Sequence, residues 1–215
     1  MRTQETQTDA KAVGSSRDRI LTAAKELFAS RGYENTSTVA IARMASTSES
    51  QLMKHFGSKE GLLEAIFDQG WERMGEAVRG IHDLGSPEEK LLSLLDVVLN
   101  AFERDQGLKE LLLLEGRRIR KEGRMVLLTR GYQEFVNMVD SVLLEMRAAG
   151  RLSSDTHPQA VRSALMGMLE GLLRDQMLAR RVGFPAAYTT QEIRKLFTSV
   201  LAALRAEVPS TFGQM

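Results

Sequence analysis

Hydrophobic residues recur along this chain at three- and four-residue spacings, the signature of amphipathic helices. After Ser15 and Ser16, suitable N-caps, Ile20, Ala24, Leu27 and Phe28 fall on one helical face, and Gly32 stops the run. Tyr33 to Thr36 read as a link. Ser37 opens a short second helix carrying Ile41, Ala42 and Ala45, and Ser46-Thr47 makes a tight turn. Ser48 opens a third helix with Leu52 and Phe56 inward, and Gln51 stands at capping-box spacing from it. Gly57 ends that helix, and Ser58 caps a fourth with Leu62, Leu63, Ile66, Phe67 and Trp71. Two short helices on a tight turn, buttressed by a longer one, follow the helix-turn-helix plan.

The pattern beyond this point is also helical. Turn chemistry at His82 to Lys90, with Pro87 as a helix start, leads into a helix through about Arg104. Residues 108–149 predict two more helices, residues 148–158 a break, and residues 158–180 one long helix. The segment Gly183 to Tyr188 breaks the chain again. Thr189 with Glu192 then predicts a capping box ahead of a stripe of Ile193, Leu196, Phe197, Val200, Leu201 and Leu204.

The helix at 158–180 is apolar on two sides. Val161, Leu165, Met168 and Leu172 form one stripe; Ala160, Ala164, Gly167, Gly171 and Leu178 form another. A second face of small residues predicts a second partner. With the 193–204 stripe it forms either an intermolecular four-helix bundle or the centre of one large monomeric domain.

Composition agrees with an all-α fold: the 215 residues include four Pro, and Leu, Ala, Met, Glu and Arg abound. The net charge of +1 does not announce a polyanion partner, so any nucleic-acid surface is local. Residues 15–60 hold seven Lys/Arg against five Asp/Glu. The absence of cysteine removes disulfides, thiolate metal sites and thiol nucleophiles, and fits a cytoplasmic setting. No apolar run is long enough to span a bilayer, and the polar first 14 residues predict a disordered arm in place of a signal peptide.

Enzyme chemistry is not supported. The three histidines, His55, His82 and His157, lie outside any Glu-x-x-His or His-Glu-x-x-His pattern, and neither a phosphate loop nor Gly-x-Ser-x-Gly is present. No cofactor and no metal are expected.

The run from Ser15 to Phe67 resembles the DNA-binding domain of the TetR family of transcriptional regulators. The resemblance rests on Ile-x-x-Ala-Ala-x-x-Leu-Phe at Ile20 to Phe28, Gly32-Tyr33 before Thr36, Ile41-Ala42, and His55-Phe56-x-Ser58-Lys59-Glu60-x-Leu62-Leu63. It implies an N-terminal three-helix helix-turn-helix domain followed by a larger C-terminal helical domain for ligand binding and dimerisation. The corresponding expected division is an arm at 1–14, the helix-turn-helix domain at 15–60, a connecting helix at 61–80, the larger domain at 81–207 and a tail at 208–215. The sequence departs from the family at two positions: Ser46 stands where Gly is usual in the turn, and Met53 where a Tyr commonly meets a phosphate.

Within that resemblance, Glu49, Ser50 and Gln51 at the start of the third helix are candidates for base edges or for plain capping and solvation. Lys54, His55 and Lys59 are placed near phosphates, with Ser37, Ser48 and Arg43 as further DNA-binding candidates. The implied ligand pocket draws on Phe102, Met125, Tyr132, Phe135, Met138 and Met168, although such a residue at helical spacing is more often plain core, with Met166 beside them and Glu103, Glu170, Arg174 or Asp175 as polar orienters. The dimer interface draws on Ala164, Gly167, Gly171, Leu178, Phe197, Val200, Leu201 and Leu204. The basic segment Glu115 to Arg124, with five basic and two acidic residues, reads as a solvated face or a contact with the DNA-binding domain, or else as a site for an acidic ligand.

The expected function is a repressor that binds a palindromic operator on double-stranded DNA as a homodimer and is released by a small-molecule inducer. The alternative is a helical adaptor whose helix-turn-helix no longer binds specific DNA.

Overall fold

Four serines set the starts of the first four helices in the computed structural model, which describes residues 15–204. Ser15 Oγ accepts from the Asp18 N–H at 3.2 Å and opens α1 (Ser16–Arg31); Ser37 accepts from Ala40 at 3.2 Å and opens α2 (Thr38–Met44). Ser48 accepts from Gln51 at 3.1 Å at α3 (Glu49–Phe56), and Ser58 accepts from Gly61 at 2.9 Å at α4 (Lys59–Ala77). Each hydroxyl satisfies a backbone donor that the first helical turn leaves without an internal partner. At Ser48 the box is only half made, because the Gln51 side chain turns to His55.

A 3₁₀ turn at Ile81–Asp83 precedes α5 (Pro87–Arg104), which starts on a complete capping box between Ser86 and Glu89 with Pro87 in the first turn. Asp105 caps α6 (Gln106–Leu114), and Thr129 caps α7 (Arg130–Ala148). Pro158 begins α8 (Pro158–Val182), and the reciprocal Thr189–Glu192 box begins α9 (Thr190–Ala203). The fold is therefore all-α in its supporting elements. The expected arm at 1–14, the last residues of the larger domain at 205–207 and the tail at 208–215 lie outside the described residues.

The segment between α6 and α7 differs from the expectation of helix alone. It contains a minimal antiparallel hairpin of β1 (Arg120–Lys121) and β2 (Arg124–Met125). Glu122 and Gly123 form its tip with φ of 52° and 82°, the two positive values that a tight hairpin of this twist requires. Two-residue strands are too short to produce alternation in a sequence.

One continuous core runs through the described residues. Ile20, Ala24 and Phe28 of α1 meet Ile41, Leu52 and Leu62, and α4 carries the same core onward through Ile66, Phe67, Trp71 and Met74. The central helix α4 packs on α1, α3, α5, α6 and α7. Its approach to α7 is close: a Cβ on Gly131 would stand 2.8 Å from the Trp71 Cβ.

α5, α7, α8 and α9 pack together with Leu94, Val98, Val142, Leu143 and Met146 inside. Within α9 the expected interface stripe divides. Phe197 and Leu201 are buried in the protomer's own core, so they are corrected from interface to core positions; Val200 and Leu204 are half-buried. On α8, Val161 and Leu165 turn inward, whereas Ala160, Ala164 and Gly167 are exposed and Gly171 and Leu178 half-buried. A Cβ on Gly167 would meet nothing within 4 Å. This small-residue face is uncovered in the single chain.

Candidate nucleic-acid interface and effector cavity

The two short helices are locked at a fixed angle by their turn. The Thr47 N–H donates to Ala42 O at 3.0 Å, and Arg19 Nε of α1 donates to Ala45 O at 3.2 Å, which ties the turn to the supporting helix. Ser46 adopts φ of 50°, the left-handed region in which a side chain costs about 1 kcal/mol or more relative to glycine. Ser46 thus holds the turn under strain.

Leu52 and Phe56 bury the inner side of α3, and Arg17 of α1 lies over the Phe56 ring at 5.6 Å. The opposite side exposes Glu49, Ser50, Met53, Lys54 and His55, while Gln51 is half-buried. Local partners already engage some of these candidates. The Thr38 hydroxyl donates to the Glu49 carboxylate, and Gln51 Nε2 lies 3.2 Å from His55 Nε2. Ser50, Lys54 and Arg43 carry no side-chain hydrogen bond or ion pair among the described residues. Ser37 and Ser48 are exposed, with their hydroxyls committed as caps.

Lys59 is half-buried, its Nζ placed 4.2 Å from the centre of the Tyr33 ring. The Tyr33 hydroxyl donates to Glu60 Oε1 at 3.0 Å. Burial, then the Glu60 carboxylate, hold the Tyr33 phenol well above its ordinary range. Burial pushes the Glu60 carboxyl up, but hydrogen bonds from its own backbone N–H, Ser58 and Tyr33 outweigh it and leave the group below the usual range. Lys59, Tyr33 and Glu60 thus form a joint between the end of α1 and the start of α4.

Three apolar side chains stand exposed near this surface; its departure from the family pattern marks Met53 in the sequence, whereas nothing there marks Val39 or Met44. Val39, Met44 and Met53 are 51%, 43% and 41% exposed, and apolar groups of this kind can meet a thymine methyl in a major groove. Only their lack of a buried partner distinguishes them from core residues.

In the C-terminal half, a cavity of about 90 Å³ opens where α4, α5, α6, α7 and α8 converge. It brings together Phe102, Tyr132 and Phe135 of the expected set, with Met166 and Glu170. Met125, Met138 and Met168 do not line it and are corrected: Met125 belongs to the hairpin, and Met138 and Met168 pack against the core as partly buried side chains. The sequence reading also missed Trp71 and Arg117 as lining residues. Trp71 stacks obliquely on Phe135 at 5.1 Å and meets Tyr132 edge-on at 5.2 Å.

The lining has two polar features. Trp71 Nε1 is a buried donor without an acceptor among the described residues, a group normally satisfied in native proteins. Arg117 pairs with Glu170 Oε2 at 2.5 Å. Burial pushes the Tyr132 phenol up. Neighbouring basic residues of the hairpin segment reach α4 and the N-terminal helices: Arg118 pairs with Glu34 at 2.9 Å and Lys121 with Glu64 at 2.6 Å. The basic segment is therefore a contact between the two halves of the chain, with Arg117 alone on the cavity.

Comparison with known proteins gives consistent results. Residues 20–66 match the family model for bacterial regulatory proteins of the tetR family. The HTH-type transcriptional regulator UidR of Escherichia coli (strain K12) is 29% identical over 194 residues, which cover 87% of this chain and 93% of the relative. The fold is shared with the fatty acid degradation regulator FadR from Bacillus halodurans, at a TM-score of 0.76 and 22% identity, over 89% of this chain and 97% of that one. It is shared equally with the transcriptional regulator FadR from Bacillus subtilis in complex with stearoyl-CoA, at a TM-score of 0.76 and 18% identity, over 88% and 99% of the two chains. No helix among the described residues is long and apolar enough to cross a membrane.

Proposed function

We propose that this chain, whose residues 20–66 match the family model for bacterial regulatory proteins of the tetR family and which is 29% identical to UidR over 87% of its length, is a repressor of that family that binds a palindromic operator as a homodimer and leaves it when a small molecule enters the C-terminal cavity. The observation that carries the DNA-binding half is the two-sided character of α3. Leu52 and Phe56 anchor one side, and the other presents Ser50, Met53 and Lys54 to solvent. A helix of this length fits a major groove, with Ser50 near its N-terminus meeting base edges and Lys54, His55 and Arg43 meeting phosphates. Glu49 reads a base only by exchanging its bond with Thr38, and Gln51 only by leaving His55.

Dimerisation is supported by the uncovered face of α8. Ala164, Gly167 and Gly171 permit close backbone approach, and Leu178, with Val200 and Leu204 of α9, adds apolar area. In the proposed dimer, a two-fold axis through that face would set the two recognition helices on successive major grooves, about 34–36 Å apart.

Effector binding is supported by the lining of the cavity. An apolar body fits Phe102, Tyr132, Phe135 and Met166, while a polar group finds Trp71 Nε1 or the Arg117–Glu170 pair. The solved neighbour holding stearoyl-CoA makes an apolar acyl chain a natural class to try first. At about 90 Å³ the cavity is smaller than the ~300 Å³ at which ligand pockets begin, so the effector must favour an opened arrangement of α4, α7 and α8. Because α4 also buries Leu62 and Leu63 in the N-terminal core and packs on α3, that opening is transmitted to α3.

The test is selection of the purified protein on randomised duplex DNA, followed by the salt dependence of the winners. An enriched inverted repeat whose affinity falls steeply with salt supports the reading. Retention without enrichment replaces it with an adaptor that keeps the fold but no longer reads sequence.

A further inference from the structure

A second concavity among the described residues is larger than the core cavity. A cleft of about 560 Å³ lies where α1, α4, α5 and the start of α6 meet, on the boundary between the DNA-binding helices and the rest of the chain. Its floor is apolar, with Leu21, Ile66, Met74 and Leu108. Its rim is cationic and amide-rich: Arg73 of α4, Arg104 of α5 and Lys25 of α1, with Gln69 and Asn100 between them and Asp105 as the one carboxylate.

Among the described residues, the side chains of Arg73 and Arg104 have no ion-pair or hydrogen-bond partner, and both are exposed. Their positions contrast with most other basic residues of the C-terminal half, such as Arg162, Arg181 and Arg194, each of which is paired with a carboxylate. Lys25 is held by Asp105 at 2.5 Å, and the same carboxylate caps α6 by accepting from the Leu108 N–H at 3.0 Å.

We propose that this cleft is a second small-molecule site, distinct from the core cavity, for an amphipathic organic anion whose acidic group is held by Arg73 and Arg104 and whose apolar body rests on Leu21, Ile66 and Met74. The chemistry follows from the lining. Two unpaired guanidiniums offer charge-assisted, bidentate donors to a carboxylate, sulfonate or phosphate. The apolar floor takes a ring or a short chain, and the volume lies within the range of drug-sized ligand pockets. An anion here also draws on Lys25 and competes with Asp105 for it. The site therefore bears on the Lys25–Asp105 pair that fastens α1 to the start of α6, and occupancy is coupled to the placement of the DNA-binding helices.

The experiment uses the full chain and the fluorescent aryl sulfonate 8-anilinonaphthalene-1-sulfonate, which has both required features. Wild-type protein is expected to bind it saturably. The Arg73→Ala/Arg104→Ala variant removes the charge, and Ala77→Trp fills the cleft while leaving the charge in place. Each is expected to weaken binding about tenfold or more, while Tyr132→Ala in the core cavity leaves it unchanged. Thermal unfolding of each variant verifies that the fold persists. Absence of saturable binding to the wild type, or binding that Tyr132→Ala removes and the two cleft variants leave intact, overturns the proposal. The readout requires no DNA, so it stands or falls separately from operator recognition.

Discussion

Asp68 on α4 accepts a hydrogen bond from the backbone N–H of Gly131 at 3.0 Å, so the first turn of α7 is capped from the side by another helix. The same glycine faces Trp71, where an added Cβ would stand 2.8 Å from the Trp71 Cβ and 3.4 Å from the Glu72 backbone nitrogen. The α4–α7 joint is thus set by a missing side chain and a carboxylate together. Gly131→Ala is expected to destabilise the protein by about 1–3 kcal/mol through overpacking. Asp68→Ala is expected to cost about 1–2 kcal/mol through the lost cap. Urea unfolding of the two variants checks both figures.

Ser46 is a place where the sequence can be improved. At φ of 50° its side chain is strained, and Ser46→Gly relieves this at the expense of a more flexible unfolded chain. The net expectation is a gain of about 0.5–1 kcal/mol in urea unfolding. The turn is held by Thr47 and Arg19, so DNA affinity is expected to stay within about twofold.

DNA contacts separate by their salt dependence. Lys54→Ala is expected to weaken binding to all selected sequences alike and to lower the slope of log affinity against log salt by about one. Ser50→Ala is expected to change which base is preferred at one position of each half-site and to leave the slope alone. Met53→Tyr supplies a hydroxyl that methionine lacks and is expected to tighten binding about tenfold. Quantitative binding at several salt concentrations distinguishes the three outcomes.

Lys109 of α6 is buried without an ion pair among the described residues. Burial, reinforced by the charge of Arg180, lowers its pKa, against the weaker pull of Glu110 and Glu103. Below the native value both folded and unfolded chains are protonated, and the folded state bears the full cost of the buried charge. Between the native value and the unfolded value near 10.4, the unfolded chain binds more protons, so stability from this group rises with pH. Lys109→Met is therefore expected to raise stability by about 1 kcal/mol at neutral pH, with the advantage shrinking as pH climbs. Thermal unfolding across that range measures it.

Helix starts were legible in the sequence because capping is local. Ser15, Ser37, Ser48, Ser58 and the Thr189–Glu192 pair each act within three residues of themselves. Ser46 at the turn was legible for the same reason. What the sequence left open depends on which inward faces meet. Periodicity marks Met125, Met138 and Met168 as apolar, but only the convergence of five helices decides that Met166, Trp71 and Arg117 border a void and those three do not. Likewise a stripe on α9 identifies Phe197 and Leu201 as apolar without saying whether the surface they cover belongs to the same chain. The hairpin at 120–125 had no signal beyond Glu122-Gly123.

Trp71 stands thirteen residues beyond Ser58 on one uninterrupted helix, a separation of about 20 Å at 1.5 Å per residue. The two positions differ in what evolution can do with them. A substitution at Met166 or Leu169 of α8 changes the shape of the cavity from an element that packs on α6, α7 and α9. A substitution at Trp71 changes the same cavity from the helix that also completes the N-terminal core. Drift toward new effectors is therefore cheap along α8 and constrained along α4, and a lineage that exchanges one signal for another while keeping its operator should vary first at Met166 and Leu169 and last at Trp71.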